Sequence, residues 1–292
     1  MGSFSILNNI AAINGQNQLN INNVNLTRTL NRLSSGKRIN SGADDAAGLQ
    51  IADSLRANYF ALNQAVRNAN DGISFCQIAD GALQEITNIL TRCVTLAEEA
   101  ATETIDNAGK KALDNEFQIL QKELARIAVQ TNFNGTKLFS ENRDFGDTLD
   151  IFVGDVTDAS FIEVSIGVIK VDNMTSPSKV TSFGNIANSD LSVVSLGTAT
   201  AASSALGIFR TTLNAISTMR GTIGAGMNRL NAAVSVMQTQ ATNTLSAESS
   251  VRDANIAEEI TSMTKYQILA QSGIAALAQA NSNSQTVLRL LQ

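Results

Sequence analysis

The sequence contains no histidine, no tryptophan and a single proline, Pro177, in 292 residues. Without histidine the chain lacks the most common general base, the most common metal ligand and any serine–histidine or cysteine–histidine pair. Proline interrupts helices, so its scarcity permits very long ones. Aromatic residues make up only 4%, so aliphatic side chains must fill the core. We expect closely packed helices, no cofactor and no enzymatic activity.

Basic residues are also scarce. The net charge is −5, and no basic run is longer than Lys37–Arg38 or Lys110–Lys111. A nucleic-acid groove needs a basic face, so no nucleic-acid partner is expected. No apolar run approaches the ~18 residues that span a bilayer, which argues against membrane insertion. The first basic residue is Arg28, so a cleavable secretory signal with a positive start is not expected either.

What the sequence does contain is apolar residues at alternating spacings of three and four, the pattern of a helix that packs along another helix. The pattern runs through 62–100, begins again at 113–127 and returns at 206–241. Cys76 and Cys93 fall on it, and along one helix they would lie about 25 Å apart, too far for a disulfide. We predict a helical rod whose core includes Leu62, Cys76, Leu83, Ile86, Leu90, Cys93, Phe117, Leu120, Leu124, Leu213, Ile216, Met227, Leu230 and Val234.

Both ends of the chain carry the same spacing, and the C-terminal stripe continues almost to the last residue. Chain ends are normally less ordered and less hydrophobic than the rest of a domain, so this stripe suggests an interaction surface. We predict that 1–33 pairs with 256–292 and that neighbouring copies complete the pair. The predicted terminal seam comprises Ile6, Ile10, Ile13, Leu26, Leu30, Leu33, Ile256, Ile260, Met263, Ile274, Leu277, Leu288 and Leu291.

The period changes to two between the long helices, which predicts one β-hairpin over about 147–171. The stretch from 172 to 200 is rich in Ser, Thr and Asn and is expected to be a short exposed connector. A break between two helices is expected at 247–250. The fold class is therefore mainly α: a long antiparallel helical bundle or coiled coil with one β-hairpin and paired terminal helices. The expected segments are 1–44, 45–146, 147–200, 201–246 and 247–292.

Three long motifs resemble bacterial flagellin. Residues 33–56, LSSGKRINSGADDAAGLQIADSLR, resemble the N-terminal hallmark of that family, and residues 130–139, QTNFNGTKLF, resemble its turn into the β-region. Residues 247–259, with 277–281 and 287–291, resemble the C-terminal hallmark. The resemblance implies a structural subunit that polymerises into the hollow flagellar filament used for swimming.

The resemblance also implies where each segment lies and which partners it meets. Residues 1–44 and 247–292 would form the inner tube, and 45–146 with 201–246 the outer-tube rod domain, with 147–200 as hairpin and connector. Secretion by the flagellar type III export apparatus, an export chaperone, a cap protein and hook-junction proteins are implied as well. Two alternatives stay open: a hook–filament junction protein of the flagellum, and a secreted adhesive or receptor-binding module.

Some flagellins are sensed by a flagellin-binding Toll-like receptor, and residues 90–98 align with the helix segment that it contacts. Leu90, Arg92 and Glu116 match residues of that family site. Val94 and Thr95 stand where the family motif has a second arginine and a glutamate. Arg92 is therefore interpreted either as a receptor contact or as a surface or intersubunit charge.

Overall fold

A computed structural model describes residues 9–139, 148–154, 161–171, 180–183, 191 and 194–290. Within these ranges five α-helices account for most of the chain, and six short strands lie between the third and fourth helices. The helices are α1 (Ile10–Ser35), α2 (Ala46–Ala101), α3 (Asn107–Gln130), α4 (Ala199–Arg252) and α5 (Ile256–Leu290). The strands are β1 (Asn132–Phe133), β2 (Thr136–Lys137), β3 (Thr148–Phe152), β4 (Phe161–Ser165), β5 (Ile169–Val171) and β6 (Val180–Phe183).

The chain divides into two compact units. The terminal unit comprises residues 1–59 and 242–292, and the central unit comprises residues 60–241. Two helices, α2 with 56 residues and α4 with 54, contribute residues to both units. The mainly α fold class with paired terminal helices is confirmed.

In the terminal unit, α1 and α5 run antiparallel. Asn9 begins α1 by accepting a hydrogen bond from the Ala12 amide at 3.1 Å, and Gly36, with φ of 69°, ends it in the left-handed region that glycine tolerates best. The Asn9 amide also donates to the carbonyl oxygen of Ala280 near the other end of α5. At the opposite end of the pair, Arg32 and Glu259 lie 3.3 Å apart. Early residues of α1 therefore face late residues of α5.

Beside the helix pair, two backbone hydrogen bonds link residues 36–38 to residues 252–254. The Arg38 amide donates to the Arg252 carbonyl at 2.7 Å, and the Ala254 amide donates to Gly36 at 3.0 Å. The Arg252 side chain is mostly buried and pairs with Asp53 at 3.0 Å. The predicted break between helices at 247–250 is wrong, because α4 continues to Arg252. The hydrogen bonds and the ion pair of Arg252 hold the end of α4 in place.

In the central unit, each pair of helices is joined by a specific contact. Arg92 of α2 pairs with Glu116 of α3 at 2.7 Å, and Arg220 of α4 pairs with Asp80 of α2, also at 2.7 Å. The Phe117 ring of α3 contacts a ring of α4. The helices around these contacts share one apolar core, as their 3-4 spacing requires.

The residues predicted for the rod core are either buried or half-buried. The buried ones are Leu62, Cys76, Leu83, Ile86, Leu90, Cys93, Phe117, Leu124, Ile216 and Leu230. Leu120, Leu213, Met227 and Val234 are half-buried. Burial raises the pKa of the Cys76 thiol to about 11, and that of Cys93 to about 12. Both cysteines are therefore inert thiols inside the helix packing.

The described strands form three antiparallel pairs, whereas the sequence predicted one hairpin. The pair β3–β4 is the predicted hairpin, with Ile151 opposite Ile162 on its buried face. The pair β1–β2 closes through Asn134 and Gly135, both with positive φ, as a two-residue hairpin turn requires. Strand β6 lies inside the segment 172–200, which was expected to be an exposed connector. That prediction is wrong for residues 180–183, because they pair with β5 and bury Val180 and Phe183.

Glycine allows the hairpin and its neighbouring segments to lie close to the long helices. A Cβ atom on Gly72 of α2 would lie 2.2 Å from Ile151 of β3, and one on Gly226 of α4 would lie 2.8 Å from Val164 of β4. The buried face of the hairpin therefore packs onto helix backbone, and its opposite face points to solvent.

Candidate functional site

The face of α1 that packs on α5 follows an unbroken 3-4 spacing. Along α1, the buried and half-buried positions on this face are Ala12, Gly15, Leu19, Asn22, Leu26, Thr29 and Leu33. The matching positions of α5 are Glu259, Met263, Tyr266, Ala270, Gly273, Leu277 and Ala280. These two sets are called the pairing face.

Two glycines on the pairing face bring the helices close together. A Cβ atom on Gly15 would lie 3.1 Å from Leu277, and one on Gly273 would lie 3.3 Å from Leu19. Each helix thus offers a glycine to a leucine of the other. Such close approach needs a small residue at the point of contact, which explains why each of these leucines lies against a glycine.

The predicted terminal seam therefore divides into two groups. Leu26, Leu33, Met263 and Leu277 lie on the pairing face. The remaining described members are exposed, namely Ile10, Ile13, Leu30, Ile256, Ile260 and Ile274. Ile6 and Leu291 lie outside the described residues, and Leu288 lies within α5 but its side chain is outside the description.

A second apolar stripe occupies α1 on the side away from α5. Its members are Ile10, Ile13, Ile21 and Val24, whose exposed fractions run from 51% to 62%. At about 100° per residue they lie roughly 180° around the helix from the pairing face. We call these four residues the outer face of α1. The predicted terminal seam did not include Ile21 and Val24. Their spacing of 11 residues from Ile10 and Ile13 indicates the same side of the helix and could have identified them.

Charged groups stabilise the end of the α1–α5 pair that lies near residues 36–38. Arg32 contacts Glu259 at 3.3 Å and Asp44 at 4.0 Å. Burial raises the pKa of Asp44, but hydrogen bonds from Asn40 and Ser41, together with Arg32, outweigh it and hold that pKa below its usual value. Asp44 therefore stays ionised and keeps the loop after α1 in place. The N-terminus of α2 is capped by its neighbour, Asp45, which accepts the Gly48 amide at 2.9 Å.

Two further kinds of site were sought in the described part of the chain. It holds no group of three or more His, Cys, Asp or Glu placed to bind a metal ion. None of its helices is both long enough and apolar enough to cross a membrane. Within the described residues, the terminal unit leaves the outer face of α1 exposed.

The three residues aligned with the receptor site differ in accessibility. Leu90 is completely buried in the central unit, so it presents no surface to a partner. Arg92 and Glu116 are about half exposed, and they bind each other through two hydrogen bonds of 2.7 and 2.9 Å to one carboxylate oxygen.

Comparison with known proteins identifies the family. The model of the bacterial flagellin N-terminal helical region matches residues 6–144, and that of the C-terminal helical region matches residues 206–291. A flagellin of Halalkalibacterium halodurans is 37% identical over 287 residues, covering 98% of this chain and 99% of the relative. Flagellin FlaB1 of Treponema pallidum is 34% identical over 294 residues, with the same coverage.

Among solved structures, the flagellin of Bacillus cereus shares 27% identity with this chain, at a TM-score of 0.46, over 62% of this chain and 94% of that one. Both family models match helical ends, and the two curated relatives align almost end to end. The chain belongs to the bacterial flagellin family: it is a structural subunit, not an enzyme, and polymerises in many copies into the extracellular flagellar filament used for motility.

Proposed function

We propose that this subunit polymerises through the apolar surfaces that the α1–α5 pair leaves uncovered, and that the paired ends form the inner tube of the filament. The observation that carries the proposal is the outer face of α1, where four branched apolar side chains are each more than half exposed. An exposed apolar stripe of this kind marks an interaction surface. The members of the predicted seam on α5 that remain exposed extend this surface.

The terminal unit has little core of its own within the described residues. Asn22 and Thr29 are buried on the pairing face, where an isolated helix pair would gain more from leucine. A polar residue in such a seam specifies alignment at a cost in stability. We therefore expect the ends to be weakly ordered in the free subunit and to gain most of their stability from neighbouring copies.

The central unit has a contrasting role in this proposal. Its core contains many fully buried aliphatic and aromatic side chains, so it should fold without partners. Residues 45–146 and 201–246 would then supply a preformed outer-tube rod, with 147–200 as hairpin and connector. Residues 1–44 and 247–292 would order upon assembly.

Deletion of residues 281–292 tests this division. We expect the truncated chain to keep the central unit folded, with helical circular dichroism and protected amides in 60–241, and to form no filaments on preformed seeds. The full-length chain under the same conditions is the control. Normal filaments in electron micrographs of the truncated chain would contradict the proposal.

The family resemblance supports a route to the filament as well. We expect secretion through the flagellar type III apparatus, a chaperone that covers α5 before export, a cap protein at the growing tip and hook-junction proteins at the base. Exposed Ile256, Ile260 and Ile274 give such a chaperone an apolar helix face to bind. Pull-down by the purified chaperone should fall when these three residues are replaced by serine, and unchanged binding would contradict this role.

Recognition by the flagellin-sensing Toll-like receptor is proposed to be weak. Arg92 is engaged by Glu116, Leu90 is buried, and Val94 and Thr95 replace the charged residues of the family motif. Arg92 then serves as a surface or intersubunit charge. A receptor reporter assay should respond far less to this chain than to a flagellin with the complete motif, and an equal response would refute this.

A further inference from the structure

The solvent side of the β3–β4 hairpin carries an unusual combination of side chains. Asp150 lies directly opposite Glu163, and both are exposed. The next pair on the same side is Phe152 and Phe161, whose rings meet edge to face with centroids 5.1 Å apart. Both rings are exposed, in a chain with only 4% aromatic residues. We call these four residues the hairpin face.

The hairpin face is electrostatically unfavourable as it stands. Like charges directly opposite each other destabilise an antiparallel pair. Within the described residues neither carboxylate has an ion pair, and Arg229 reaches only the main-chain oxygen of Glu163, at 3.5 Å. A cationic side chain would relieve the repulsion and could also rest against the aromatic rings, which attract cations. The complementary partner is thus a surface that places a basic side chain beside an exposed apolar one.

The chain presents such a surface on α3. Lys111, Ile119 and Lys122 are exposed and, at spacings of eight and three residues, lie on one side of the helix. Ile119 is 66% exposed, the highest value among the large apolar residues of the described chain. Neither lysine has an ion pair within the described residues. We call these three residues the α3 face.

We infer that the hairpin face of one subunit binds the α3 face of a second copy. Lys122, about one turn along α3 from Ile119, would meet the opposed carboxylates, and Ile119 would cover the exposed phenylalanine rings. Lys111, about 12 Å along α3 on the other side of Ile119, would add attraction at longer range. The two faces are different surfaces of the same chain, so the contact is heterologous. Contacts of this type propagate into rings or open helical polymers instead of closing as dimers. This inference rests on the proposed function, and it adds an outer contact to the one made by the chain ends.

Charge exchange tests the contact in the full-length chain. The first variant carries Asp150→Lys and Glu163→Lys, which keeps like charges opposed and so leaves the hairpin under the same strain. The second carries Lys111→Glu and Lys122→Glu. We expect each to raise the critical concentration for seeded polymerisation by about tenfold or more, as expected when close charge pairs become repulsive. The variant with all four substitutions should return close to the wild-type value.

A control variant, Glu98→Lys with Glu103→Lys, makes the same change in net charge as the first variant, at exposed positions outside both faces. It should polymerise like the wild type. Circular dichroism of each monomer verifies folding. Normal polymerisation of the first or second variant, or no recovery in the combined variant, would overturn the inference. These outcomes leave the proposed function intact, because that proposal concerns the chain ends and is tested separately by the deletion of residues 281–292.

Discussion

Replacing two residues of the outer face of α1 should weaken assembly without harming the free subunit. The substitutions Ile13→Ala and Ile21→Ala remove branched side chains from the side of α1 away from α5. Both positions are exposed, so no cavity forms in the monomer. Alanine is also the better helix former, by a few tenths of a kcal/mol per residue. Any loss of polymerisation therefore reports on contacts between copies.

The size of the effect follows from the area that assembly would still bury. Full burial of an isoleucine side chain contributes about 1.5–3 kcal/mol. Ile13 and Ile21 retain 51% and 52% of their exposure in the subunit, so burial of the remainder is worth roughly 1 kcal/mol each. Loss of about 2 kcal/mol should raise the critical concentration roughly 30-fold, since 1.4 kcal/mol corresponds to a factor of ten.

Sedimentation of seeded polymerisation reactions would measure this value. The matched control is Gln16→Ala with Asn23→Ala, which changes two exposed polar positions of the same helix. The control should polymerise at nearly the wild-type critical concentration. The reasoning fails if the isoleucine variant stays within about twofold of the wild type, a difference of less than half a kcal/mol.

Three further outcomes are expected. Gly15→Val should separate α1 from α5, because Leu277 fills the space beside Gly15; amide exchange in both helices should accelerate, and unchanged exchange would argue against the close approach. Arg220→Ala should lower the free energy of unfolding in urea by about 1 kcal/mol, since it removes an ion pair between α4 and α2 whose side chains are only one-third exposed; an unaltered midpoint would show that the pair contributes nothing. Cys76 and Cys93 should resist thiol reagents at pH 8 until urea unfolds the chain, because burial raises their pKa values to about 11 and 12; rapid labelling of the native chain would contradict this. The same thiols ionise first in the unfolded chain, so they lower stability as the pH rises above 9.

The sequence was sufficient to predict the helices, their antiparallel pairing and the family. Long runs of 3-4 spacing are a strong signal, and residues such as Leu83 and Leu230 lie in the core because of it. The end of α4 was harder to predict. The polar residues Glu248, Ser249 and Ser250 suggest a break between helices, but α4 continues past them. Its end is held by the ion pair of Arg252 with Asp53 and by backbone hydrogen bonds to residues 36–38.

The division of the terminal seam could not be predicted from periodicity. A stripe of isoleucine and leucine was expected to form the α1–α5 contact, yet the pairing face contains Gly15, Asn22 and Thr29. Hydrophobicity identifies a side chain that will be buried but not the partner that buries it. Close helix approach requires Gly15 opposite Leu277 and Gly273 opposite Leu19, while Ile10 and Ile13 on the other side of α1 remain available to other copies. The short strand pairs were missed because two to four residues carry too little period-2 signal.

The central claim is that the outer face of α1 is buried between copies. A helical reconstruction of filaments assembled from this chain, at a resolution that shows side chains, tests it most directly. The account predicts that α1 and α5 form the inner wall and that Ile10, Ile13, Ile21 and Val24 contact a neighbouring subunit. Filaments in which these four side chains face solvent would contradict it.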